Sequence, residues 1–582
     1  MGDRLQALRH LISDLLFVLG RFPRAVAGGI AGFWRSLPIV ARRRLVAAGG
    51  VIVVVLLFAG LAVPNLPCSL PGGDECAPED DAIELVPAGA LAYVHANLDP
   101  ETDQAAEVVE VAGRMPQVSR QLIGQVATLL DAGAPLGAAS EPWFGGEAAA
   151  AVLGTGAGAE QVQLVETTDA AGARRYAESI AAGVTEASTH REVEITEDGQ
   201  GVASAVVGDF LALGAPGAVR AVVDVATGAE GADALVGDPV AAEAFDALPE
   251  HRVADAYLSR DGIETLVAAP ASPLSTFEPL VDASASRGAA VALSATDDGL
   301  SVAIRSALDP ESEPGFFGAF EEFEPELPGN LQPDALAYLG LGQPGDTASA
   351  LLRQATLRAP GIAAGAAELV RRIRGRAEVD LEGDLLEALG GEAALAVIPR
   401  EPLDPEAGAV PAPGALTPYM ELLAGEVDDD LARDALARLQ EPIARSLDPG
   451  LGAPVFDRRR FGDLDAQVLR LSPVAQLVYA TYESKLMIAN DAAAVEWLAE
   501  GGEDALAETD RYREAVDELP DELALLAYLD LRGLLSYAER SGLAEDSAYN
   551  AFAPDLRRLD ALGFGVSLDE SPLAVDLRLL VD

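Results

Sequence analysis

The feature that most restricts what this chain can fold into is an internal repeat. FGGEAAAAVLG at residues 144–154 returns as LGGEAALAVIP at 389–399, aligning Gly145, Gly146 and Glu147 with Gly390, Gly391 and Glu392. The neighbouring stretches repeat in the same order. VQLVETTDAAGARRYAESI is echoed by MELLAGEVDDDLARDALARL, and GDFLALGAPGAVRAVVD by ESKLMIANDAAAVEWLA, each an apolar strand pattern running into a helical one. Pro249 with Tyr257 and Pro520 with Tyr528 share one spacing, and both copies close on alternating apolar runs, AAVALSATDDGLSVAIRSALD and GFGVSLDESPLAVDLRLLVD. The offset grows from about 245 to about 275 residues, in part through the Pro-rich insertion at 401–416. A tandem duplication accounts for this, with lobe 1 at 84–308 and lobe 2 at 327–582.

The joins inside each copy set the fold class. Strand pairs are linked by turns as short as Asp297-Asp298-Gly299, which close hairpins; parallel crossovers need far longer connections. The expected class is therefore α+β: two homologous lobes with mainly antiparallel sheets and flanking helices. Each lobe opens alike. Pro87 precedes a strand centred on Tyr93, and Pro333 precedes one containing Tyr338; Asp99 and Pro100 then read as a cap and first-turn pair.

Ahead of the repeat, residues 45–63 (LVAAGGVIVVVLLFAGLAV) carry no charge and directly follow Arg42, Arg43 and Arg44. As a helix this stretch would measure about 28 Å, close to the apolar thickness of a bilayer. An N-terminal transmembrane helix is expected. Eight arginines against Asp3 and Asp14 place residues 1–44 in the cytoplasm and the C-terminal region outside the cell. Within that tail, Leu5, Leu8, Leu11, Ile12, Leu15, Leu16 and Leu19 recur at helical spacing, consistent with an amphipathic segment lying in the membrane plane. Residues 64–83 form a stalk holding both cysteines, Cys68 and Cys76. In an oxidising exterior they can pair as a disulfide that stiffens the stalk. A thiol nucleophile or a zinc site drawing on His95 would need partners that the stalk does not supply.

The chain carries 93 acidic against 40 basic side chains, a formal charge of −53, and its cytoplasmic tail is net basic, so the exterior is more acidic still. Such a surface repels nucleic acid and anionic lipid headgroups. It also serves solubility, with or without adaptation to salt.

Catalytic signatures are missing. There is no Gly-x-Ser-x-Gly elbow, no phosphate loop ending Gly-Lys-Ser/Thr and no His-Glu-x-x-His. GTGAGAE at 154–160 precedes a strand where a dinucleotide loop needs a helix, so it reads as a hairpin loop. Asp428, Asp429 and Asp430 read as a helix cap rather than a calcium loop. The exterior histidines, His95, His190 and His251, are expected at the surface or at strand edges, because lobe 2 repeats neither His95 (Gly340 stands there) nor His251. Glu147 and Glu392 recur in both lobes and read as a feature of the fold. No catalytic, cofactor-binding or metal-ligating set is legible.

Two stretches stand out for binding. Arg458, Arg459 and Arg460 form a basic cluster that suits an anionic ligand, or else carries ordinary structural charges, as does a second cluster at Arg371, Arg372, Arg374 and Arg376. The acidic linker 309–326 holds Phe316, Phe317, Phe320 and Phe323, which either fill the core of lobe 2 or offer an apolar contact to a partner.

The pattern around LVPAGALAYVHANLDP, the GGEAALAV stretch and the upstream span resemble a family of single-span bacterial, frequently actinobacterial, membrane proteins catalogued as domain of unknown function 3352. The resemblance implies no activity and supplies no functional residues. The expected function is a non-enzymatic, membrane-anchored binding or scaffolding protein of the cell envelope, acting on an envelope protein or ligand. The alternatives are a receptor holding a small molecule or lipid between the lobes and, third, an exterior hydrolase built on carboxylates from both lobes.

Overall fold

Strand formation dominates the computed structural model, which describes residues 80–99, 102–117, 142–154, 159–267, 285–309, 320–347, 388–399, 418–447, 456–472, 475–540, 543–545, 547–568 and 573–582. The expected span at 45–63, the tail before it, Cys68 and Cys76, Phe316 and Phe317, and the arginines from 371 to 376 lie outside these residues. Among the described residues no helix is long and apolar enough to cross a membrane.

Two compact units result. The described residues of the first are 80–267, 285–309 and 573–582, and those of the second are 320–568. The first unit contains β1 (Ala90–Asn97), β2 (Phe144–Leu153), β3 (Glu160–Thr167), β4 (Glu186–His190), β5 (Val193–Glu197), β6 (Ala203–Val207), β7 (Phe210–Gly214), β8 (Ala254–Ser259), β9 (Ser286–Thr296) and β10 (Gly299–Leu308). Its helices are α1 (Asp103–Arg114), α2 (Ala170–Ile180), α3 (Pro216–Ala226), α4 (Pro239–Asp246) and α5 (Arg260–Val267). The second unit contains β11 (Ala337–Gly342), β12 (Glu392–Ile398), β13 (Tyr419–Ala424), β14 (Asp457–Phe461), β15 (Leu464–Ser472), β16 (Ala475–Tyr482), β17 (Lys485–Ala489), β18 (Leu525–Asp530) and β19 (Leu559–Ser567). Among its helices are α6 (Asp429–Leu447), α7 (Ala493–Ala499), α8 (Asp510–Val516) and α9 (Leu531–Arg540). A last strand, β20 (Leu573–Val581), returns to the first unit.

The pairings within the units are antiparallel, as the short turns require. In the first unit the strands run β20-β10-β9-β8-β1-β2-β3-β7-β6-β5-β4. In the second the order is β19-β18-β11-β12-β13-β17-β16-β15-β14. The second order reproduces that of β9 through β4, strand for strand. The helices fall at matching places, with α2 and α6 after the third strand of each set, and α3 and α7 after β7 and β17. The final strand is the exception to a self-contained second copy: β20, which the sequence repeat assigns to lobe 2, lies antiparallel against β10, from Gly299 opposite Leu580 to Ser306 opposite Leu573.

Local sequence explains the elements. β12 buries every second residue, so Ala394, Ala396 and Ile398 face the core while Ala393, Leu395 and Val397 are less enclosed. Helix starts are fixed by side chains accepting from early backbone N–H groups: Asp169 from Ala171 for α2, Asp238 from Val240 and Ala241 for α4, and Asp428 from Asp430 and Leu431 for α6. The hairpin reading of 154–160 holds, since Leu153 pairs with Glu160. The first core gathers Tyr93, Leu164, Ile195, Val219, Leu235 and Tyr257; a core cluster of the second gathers Ala424, Leu436, Leu469, Tyr479 and Leu486.

Candidate functional site

His95 lies in the middle of β1, two residues beyond Tyr93 and therefore on the same face of the sheet. β1 is flanked on both sides, so His95 has Ala149 of β2 as one cross-strand neighbour and Asp255 of β8 as the other. Glu147, two residues from Ala149, shares that face. The segment entering the 3₁₀ turn Ala82–Leu85 adds Asp80. Four ionisable side chains from four places in the sequence thus meet at one spot. His95 is 1 % exposed, Asp255 3 % and Glu147 5 %.

Each carboxylate is held from outside. Asp80 Oδ1 accepts from the Tyr93 hydroxyl at 2.5 Å and from the Ile83 N–H at 3.1 Å. Glu147 Oε1 accepts from the Ala82 N–H at 2.8 Å, and Oε2 from that of Asp81 at 3.4 Å. Asp255 Oδ2 accepts from Arg252 Nε at 2.7 Å. The imidazole is not held in this way: neither ring nitrogen of His95 has a hydrogen-bond partner, and neither does Asp255 Oδ1. The closest approaches are ion-pair distances, 3.5 Å from Nε2 to Glu147 Oε1, 3.5 Å from Nδ1 to Asp255 Oδ1 and 3.9 Å from Nδ1 to Asp80 Oδ2.

The electrostatics follow from burial and crowding. Burial alone would lower the His95 pKa, but Asp80, Asp255 and Glu147 outweigh it and raise it to about 9. Burial lifts Glu147 to about 7 against the pull of His95. Asp80 is also raised by burial, whereas Asp255, between His95 and Arg252, is held below the ordinary aspartate range despite its burial. Three carboxyl groups thus face one imidazole and one guanidinium.

The second unit builds the same corner without the imidazole or the aspartate opposite it. Glu392 Oε2 accepts from the Leu327 N–H at 2.9 Å and the Glu326 N–H at 2.8 Å, matching what Glu147 does for Ala82 and Asp81. At the His95 position stands Gly340, facing Leu526 and Ala394 across the strands. The Tyr338 hydroxyl occupies the space, donating to Glu392 Oε1 at 2.6 Å and passing so close over Gly340 that a Cβ there would lie 2.2 Å from it. The expectation that Glu147 and Glu392 serve the fold therefore holds, since both brace the entry turn of a unit.

His95 is the correction. It is interior, where the sequence suggested a surface or strand edge, on the same face as the fully buried Tyr93. His190 does end the outermost strand β4, where its Nε2 lies 2.8 Å from Asp224 Oδ1, and His251 is exposed. Asp80, Asp255 and Arg252 were not singled out from sequence. Asp255 alone carried a signal, a charged residue inside the otherwise apolar strand ADAYLS at 254–259, whereas Asp80 and Arg252 lie outside the strands.

The other described candidates belong to the second unit. Arg458, Arg459 and Arg460 sit on β14, which closes one end of the second unit's strand order; Arg458 reaches Asp465 at 2.6 Å and Arg460 reaches Asp463 at 3.9 Å, as structural charges would. Charged side chains on such an edge discourage strand addition. Phe320 and Phe323 are buried, and Phe323 exchanges backbone hydrogen bonds with Leu523, so these two fill the second unit's interior rather than offer an exposed apolar contact.

Fold and site define an antiparallel α+β protein with a buried imidazole–carboxylate cluster in one of two units. Residues 46–559 match the family described as "Protein of unknown function (DUF3352)", and the chain belongs to it. No curated protein matches the sequence. Similar solved structures include crystal forms I and III of TP0453, at 9 % and 11 % identity, covering 41 % and 40 % of this chain and 82 % and 83 % of theirs, with TM-scores of 0.22 and 0.23. A likeness of that degree carries no argument.

Proposed function

We propose that the protein is a non-enzymatic binding or scaffolding protein of the bacterial cell envelope, anchored by a span at 45–63 and displaying two lobes that arose by tandem duplication. The observation that supports this most is what the two units share. They repeat one strand order, yet at the site the charged residues His95 and Asp255 of the first unit give way to Gly340 and Leu526 in the second, and the carboxylate kept in both, Glu147 and Glu392, braces a turn. A repeated frame with divergent interiors supplies surface rather than a shared reaction.

Photo-crosslinking amino acids placed at exposed positions of both units, in intact cells, test the reading. One envelope component captured reproducibly, together with a C-terminal tag open to added protease, is the expected result. A tag protected until lysis, or no adduct from any position, would overturn it.

A further inference from the structure

We infer that Asp80, His95 and Glu147 of the first unit form a binding site for a divalent cation of the Zn²⁺ or Mn²⁺ type. One donor atom from each lies within 4.8 Å of the others. Metal–nitrogen and metal–oxygen bonds of about 2.0–2.2 Å place neighbouring ligands about 3–3.5 Å apart, and His95 Nε2 already stands 3.5 Å from Glu147 Oε1. An imidazole with carboxylates and no thiolate suits zinc or manganese better than copper(I).

A ligand-free imidazole is the second, independent observation. A buried polar atom without a hydrogen bond is costly, and both ring nitrogens of His95 lack one at 1 % exposure, with carboxylate oxygens no nearer than 3.5 Å. Asp255 occupies the place of an outer carboxylate that orients a metal-bound histidine: its Oδ1 faces Nδ1 at 3.5 Å while Arg252 holds its other oxygen at 2.7 Å, and Nε2 faces Glu147 Oε1. Tyr93 and the Ile83 N–H secure Asp80 through Oδ1, which leaves Oδ2 free of those bonds and 3.9 Å from His95 Nδ1. Asp80 retains 15 % side-chain exposure and gives the site its access to solvent. A divalent ion would also neutralise the excess of carboxylates. The competing reading is an imidazolium that fills the place itself, and it predicts no metal.

The full-length protein, stripped with chelator and held in about 0.3 M NaCl to screen its acidic surface, would be titrated with ZnCl₂ and with MnCl₂, and the bound metal counted by elemental analysis after desalting. One tight equivalent is expected. His95→Gln should weaken it at least tenfold, and Glu392→Gln, the matching change in the second unit, should leave it alone. Should His95→Gln fail to fold, zinc-edge absorption of the unmodified protein decides, with one imidazole and otherwise oxygen ligands expected. Several weak, salt-sensitive equivalents indifferent to His95→Gln, or an oxygen-only shell, would overturn the site.

Discussion

Glu421 occupies the middle of β13 at 2 % exposure, and its Oε1 has no hydrogen bond. Burial raises its pKa to about 8 from an ordinary value of 4.5. The sign is that of a carboxyl favoured neutral in the folded state: its contribution is full below about 4.5 and is lost as pH rises through about 8. The first unit places Val162, fully buried, at the corresponding position of β3. Glu421→Val should therefore stabilise the second unit by about 1–3 kcal/mol at pH 8, and denaturant titrations at pH 5 and pH 8 should show the gain growing with pH. Equal gains at both would mean that the carboxyl is not the cause. Gly340 gives the opposite case. Gly340→Ala forces the Tyr338 hydroxyl off Glu392 in a packed interior, and a loss of about 2–4 kcal/mol is expected; an unchanged melting temperature would contradict the packing. Neither effect could be read in the sequence. It shows a charge in a strand or a glycine in a strand, but not which residue of a distant strand lies opposite; His95 and Asp255 meet only through the register of β1 with β8.

Elements were more legible than their partners. The capping aspartates Asp169 and Asp428 precede helical spacing, and the Asp297-Asp298 turn announces the β9–β10 hairpin, because these depend on neighbours in sequence. Asp238 permits a measurement at this scale. Its Oδ1 accepts two N–H groups at 2.9 Å ahead of Pro239, and α4 lays Ala241 and Ala244 into the core. Asp238→Ala should cost about 1 kcal/mol, seen as an earlier denaturation midpoint for the first unit; no shift would show that Pro239 alone sets the helix start. The repeat likewise announced β20 as a strand from its alternation, but its pairing with β10 is a tertiary choice that the alternation does not encode.

Across the whole molecule, that last strand joins distant ends of the sequence. Beyond its ladder with β10, Asp576 pairs with Arg305 at 2.9 Å, and the Val581 carbonyl accepts from Arg114 Nη1 at 2.9 Å. Ending the chain after Leu568 should lower the first unit's melting temperature and cause aggregation through the bared edge of β10. Calorimetry with light scattering checks this, and an unchanged first transition would refute it. The ladder also bears on synthesis. A ribosome that has delivered every other strand of the first unit must still make the whole second unit before residue 573 emerges. Until then β10 has an open side, so the unit begun earlier is the one completed later, and its exposure to chaperones and proteases is set by the time spent translating its neighbour.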